Sequence, residues 1–183
     1  MISRRLLRIK ALTALYAFNR REDGDISKAE TELMFSIDKA YDLFHYLLIL
    51  ALDVADIAEE KIEQALKKNM PTFEDLNPNR KFIDNKVIAQ LRISESLKKY
   101  ITRSKISWSN FPHIPRLLYS KLQTWEVYND YMSSPATDYQ TDKKFVVRLI
   151  TEFFANSEDL AVCLEEQSIY WNDDIEYVLV MVD

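Results

Sequence analysis

Apolar residues recur at three- and four-residue steps through nearly all of this 183-residue chain, and the alternating pattern of a half-buried strand is almost absent. From Leu33 the series Ile37, Ala40, Tyr41, Phe44, Leu47, Leu48, Ala51, Val54, Ala55, Ala58, Ile62, Ala65 and Leu66 holds one stripe as far as Pro71. It predicts a single very long helix with a bend or break near Ser36. Ahead of it, a first helix is expected over 3–20, ending in the loop Glu22, Asp23, Gly24, Asp25 with Gly24 as the C-terminal stop. Ser27 and Glu30 read as a capping box for the long helix.

Beyond Pro71 a stretch rich in Asn and Pro reads as an internal joint, over about 71–80. Helices are then expected over 82–91 and 95–102. A connector over 106–115 is tethered by Trp108, Phe111, Pro112 and Pro115. Further helices follow over 116–132, 138–155 and 157–167, the last with Ser157 as N-cap. A final helix starting at Asn172 or Asp173 keeps its apolar face to the end without a cap, the pattern expected of a chain continued elsewhere. The fold class is all-α, with about seven or eight helices.

Composition narrows the chemistry. Gly24 is the one glycine, which argues against phosphate-cradling loops and tight hairpins. A lone Cys163 cannot form an internal disulfide, and a reducing, cytoplasmic setting is expected. The longest apolar run, Leu43 to Leu52, contains His45 and falls well short of the roughly 20 residues needed to span a bilayer, so no membrane role is expected.

Charge is distributed unevenly. The first 21 residues carry Arg4, Arg5, Arg8, Lys10, Arg20 and Arg21 and no acid, while the remainder holds 18 basic and all 29 acidic residues. The organisation expected is a basic N-terminal helix, 1–25, on an acidic helical body, 26–183. At 100° per residue, Arg4, Arg5 and Arg8 lie within about 100° of one another. Beside them runs a stripe of Leu7, Ala11, Ala14, Leu15 and Phe18, by which the helix is expected to dock. Two readings stay open: the arginines face nucleic-acid phosphates, or they pair with the acidic body.

Other candidates read as structural. Most aromatic residues fall on apolar stripes, leaving Tyr16 and Tyr100 beside basic residues. His45 and His113 have no spaced partner, and Cys163 sits between Val162 and Leu164, so no catalytic residue, metal or cofactor is expected. Asp53, Asp56, Glu59, Glu60, Lys61 and Glu63 read as solvated charge on the long helix. Asp173, Asp174 and Glu176 read as the acidic first turn of the last helix, with Trp171 as packing anchor.

The opening RRLLRIKALTALYAF resembles the start of NusB, the transcription antitermination factor family. KAYDLFHYLLIL, PTFEDLNPNRKFIDN, ISW at Ile106 to Trp108, and SEDLAVCLEEQSIYWNDDIEYVL together are similar to the extended NusB proteins of the Bacteroidetes type. The segment over 138–183 resembles a diverged piece of the NusB domain. The resemblance implies a NusB-like helical bundle and boxA-type RNA bound by Arg4, Arg5, Arg8 and Lys10, with Tyr16 adjacent. It also implies the ribosomal protein NusE as partner and, through it, the RNA polymerase complex. The family's closing stretch, an Ile-Pro turn with an Asn-Glu pair on a helix and an Asn-Gly before the last helix, does not occur here. Two alternatives remain: a helical protein-interaction module, and an RNA-binding appendage of a ribosomal RNA methyltransferase.

Overall fold

The computed structural model describes residues 2–21 and 24–182. Among the described residues all regular structure is helical: α1 Arg4–Arg20, α2 Ile26–Leu66, α3 Phe73–Leu76, α4 Lys86–Ile93, α5 Glu95–Ser104, α6 His113–Leu122, α7 Glu126–Ser133, α8 Tyr139–Arg148, a π-helical segment Leu149–Phe154, α9 Glu158–Gln167 and α10 Trp171–Leu179. The chain packs as two units, Met1–His45 with Glu158–Asp183, and Tyr46–Ser157. The long helix α2 contributes to both, and the 71–80 stretch lies inside the second.

Local chemistry explains where elements depart from expectation. The α2 helix runs unbroken through Ser36, whose hydroxyl donates back to the Leu33 carbonyl at 2.8 Å. Its start belongs to Asp25, whose carboxylate accepts from Lys28 N at 3.2 Å, so Ser27 is already helical and forms no cap. Glu22 and Asp23 of the expected loop lie outside the described residues, and Gly24 adopts a left-handed φ of 57°. The 116–132 helix is two helices, because Thr124 turns its N–H and hydroxyl onto the Lys121 carbonyl while Asn129 donates to that of Gln123. Pro115 stands inside α6 rather than before it, in the first turn where no N–H is needed. Thr72 and Asp75 form a reciprocal capping box that stabilises the short α3. With these, the helices exceed the expected seven or eight.

In the second unit, Leu47, Leu50, Ala51, Val54 and Ala55 of α2 are fully buried. Trp108 stacks on Tyr46 with centroids 3.9 Å apart and donates its indole N–H to the Tyr46 carbonyl at 3.0 Å. Asn85 caps α4 through Val87 N and Ile88 N, and its amide donates to Tyr131 Oη and the Asp142 carbonyl. Tyr131 in turn donates to Asp142 Oδ1 at 2.8 Å, and Asp142 Oδ2 accepts from Lys86 N. This buried polar chain fixes α4 on α7 and α8 with its hydrogen-bonding groups satisfied.

The acids on α2 are not uniformly solvated. Asp56 and Glu59 hold Arg92, and Glu59 also meets Arg80. Asp53 is half-buried with no ion pair among the described residues. Burial, helped by the Asp56 charge, raises its carboxyl to about 6. Because the folded-state value lies above the unfolded one, this group favours folding below about pH 4, and the benefit disappears as pH rises through about 6. Asp53→Asn is expected to stabilise the protein at pH 7 by about 1–2 kcal/mol after allowance for solvent screening, and to flatten the stability profile between about pH 4 and 6, as read by urea unfolding.

Candidate nucleic-acid interface

Every residue of this site belongs to the first unit. Ser3 starts α1 by accepting Leu6 N on its hydroxyl at 3.1 Å. Arg4, Arg5 and Arg8 therefore occupy the opening two turns, with no acid in the first. All three are exposed, and none forms an ion pair among the described residues. Placing cations at the positive end of a helix dipole costs stability, roughly 0.3–1 kcal/mol each. The same end attracts anions, so helix and guanidinium groups act in one direction on a phosphate.

Lys10 lies elsewhere. Its Nζ is 2.7 Å from Asp174 Oδ2, the two side chains being 7% and 6% exposed. It also stands 5.4 Å from the centroid of the Tyr170 ring. Lys10 is thus an internal residue and no part of the arginine edge, because a buried ammonium must have its charge matched. Burial raises the Asp174 carboxyl from its usual value, against the opposing pull of Lys10.

This pair changes which face of α1 docks. The expected stripe of Leu7, Ala11, Ala14, Leu15 and Phe18 is displaced by about a quarter turn, and the buried residues are Leu6 and Lys10. Leu7 is 38% exposed, Leu15 59% and Leu12 69%. Tyr16 is exposed as well, beneath Arg20, which lies 5.0 Å from its ring centroid. Arg21, by contrast, contacts both carboxylate oxygens of Glu32 through one nitrogen.

The α10 helix supplies what the sequence reading missed. Its buried stripe is Trp171, Asp174 and Val178. Trp171 donates its indole N–H to the Lys39 carbonyl at 2.9 Å, anchoring α10 on α2. Tyr177, also on α10, lies under Arg5 with 5.6 Å from guanidinium to ring centroid. The signal was the spacing of Tyr170, Asp174 and Tyr177, which puts them on one helical face. The Tyr100 ring, in the second unit, lies beside Arg103 at 5.8 Å.

His45 is held down in pKa by burial and contacts the Tyr41 carbonyl through Nδ1, and burial pushes the Cys163 thiol up, which lowers its reactivity. Among the described residues no His, Cys, Asp and Glu group is placed to hold a metal ion, and no helix is long and apolar enough to cross a membrane. No protein-family model, curated protein or solved structure matches the chain.

Removing one member of a buried pair strands the other charge, whereas replacing both with apolar residues of similar size is often neutral. Asp174→Ala is expected to cost about 3–5 kcal/mol in urea unfolding, and the double variant Lys10→Met with Asp174→Leu to restore most of it.

Proposed function

We propose that this chain is a non-enzymatic RNA-binding factor of NusB type, acting in the cytoplasm in transcription antitermination. The observation supporting this reading is the exposed trio Arg4, Arg5 and Arg8 at the N-terminal end of α1, without acidic partners among the described residues. The alternative fate for basic residues, pairing with the acidic body, is taken by Lys10 and Arg21. The RNA is of boxA type, the protein partner is the ribosomal protein NusE, and RNA polymerase is reached through the assembly.

Each phosphate contact releases about one counterion, so affinity falls steeply with salt. Wild-type protein is expected to bind a boxA-like RNA with a log–log salt slope of about −2 for three contacts to a single strand. Arg4→Ala, Arg5→Ala and Arg8→Ala together should abolish the slope and most of the affinity in fluorescence anisotropy. Binding that is absent, or insensitive to salt, sinks the reading.

A specific observation favours a second reading, a helical protein-interaction module. Leu12, Leu15 and Tyr16 expose more than half their surface on the same helix, as do Met34 and Phe35 on α2. On this reading Leu12→Asp with Leu15→Asp weakens titrated NusE at least tenfold while the triple arginine variant binds it normally. If wild-type protein binds neither RNA nor NusE, both readings lose NusB as their basis.

A further inference from the structure

Beneath α1, between it, α2 and α10, lies a half-open cavity of about 220 Å³. At roughly 30 Å³ per water molecule it has room for about seven, or for one flat heterocycle. Its lining includes the buried Lys10 and Asp174, the hydroxyl-bearing Ser36, and the rings of Tyr170 and Tyr177. Both charged side chains are more than nine-tenths buried. Asp174 Oδ2 is enclosed against Lys10, and Oδ1 makes no hydrogen bond among the described residues, so Oδ1 is the carboxylate oxygen with acceptor capacity left. The site therefore presents a donor next to an acceptor, with aromatic rings alongside.

We infer that this cavity receives a single unstacked guanine base of a bound RNA strand. The inference rests on the RNA-binding reading above and names what that site would select. Guanine carries a carbonyl acceptor followed by two N–H donors along one edge. Lys10 donates to the carbonyl, the Asp174 carboxylate accepts from the ring N–H and the exocyclic amine, and a tyrosine ring covers the face. Single-stranded RNA is read in this way, by splayed bases stacked on aromatic residues and hydrogen-bonded on their edges. Adenine and cytosine lack the carbonyl beside a ring N–H, and uracil lacks the second donor. Arg5 lies over Tyr177, so a phosphate contact and the base contact would sit side by side: the arginines position the strand and the cavity specifies it.

The test uses the whole chain and a short uridine-rich RNA carrying one guanine, compared with the same RNA carrying adenine or inosine at that place. Fluorescence anisotropy is expected to give at least about tenfold tighter binding for guanine than adenine, with inosine between them because it lacks the exocyclic amine. Lys10→Met with Asp174→Leu should erase the preference yet keep salt-dependent binding through Arg4, Arg5 and Arg8. Equal affinity for all three RNAs in wild-type protein overturns the guanine site and leaves the RNA reading standing. A preference that survives in the double variant also overturns it, and no binding to any of the RNAs overturns both. The inosine comparison needs no protein variant, so a misfolded variant does not protect the proposal.

Discussion

A lysine and an aspartate, neither of which would be placed in an apolar layer alone, meet at 2.7 Å between α1 and α10. Hydrophobic burial by itself would dock α1 through its Leu and Phe stripe, since each such side chain fully removed from water contributes roughly 1.5–3 kcal/mol. The helix forgoes part of that gain at Leu7 and Leu15. What overrides it is complementarity. The buried stripe of α10 contains a carboxylate between Trp171 and Val178, and the buried stripe of α1 contains an ammonium one turn after Leu6. Trp171, bonded to the Lys39 carbonyl, sets α10 on α2 and so sets where Asp174 waits. The rotation of α1 follows from that, and with it the direction of every other side chain on the helix.

The treatment of cations elsewhere sharpens the point. In the second unit Arg80, Arg92 and Arg148 each hold carboxylates. Acids are plentiful in the chain, so the bare state of Arg4, Arg5 and Arg8 is no shortage of partners. It is a consequence of placement: the opening turns of α1 carry no acid, and Asp174 of α10 is turned toward Lys10. At a helix end where the dipole opposes them these residues cost stability, and an anion of the kind proposed above would offset that cost.

How much of this was legible in the sequence depends on the range of the interaction. The all-helical class and the long α2 arise from periodicity and near neighbours, which a single sequence displays. The break at Thr124 is also local, yet it turns on which hydroxyl claims which carbonyl, and the apolar period runs straight through it. The arginine edge was legible because it needed only the wheel of one helix. The burial of Lys10 was out of reach because its partner lies far along the chain, and charge counts treat a buried lysine like an exposed one. Tyr177 and the cavity depend on the same long-range docking of α10, so they were out of reach for the same reason.

The two kinds of charge on α1 also respond differently to their surroundings. Exposed arginines are screened within about 8 Å at physiological ionic strength, whereas a pair more than nine-tenths buried is screened far less. Salt therefore weakens what the arginine edge attracts without loosening the contact that orients it. The helix keeps its rotation while its affinity for anions changes. Under the proposed function, a salt dependence of binding would report on Arg4, Arg5 and Arg8, and a base preference that persists across salt would report on the buried pair. On this one helix Lys10 is inside while Arg4, Arg5, Arg8 and Arg20 are outside, so a single element carries charges of two different salt sensitivities.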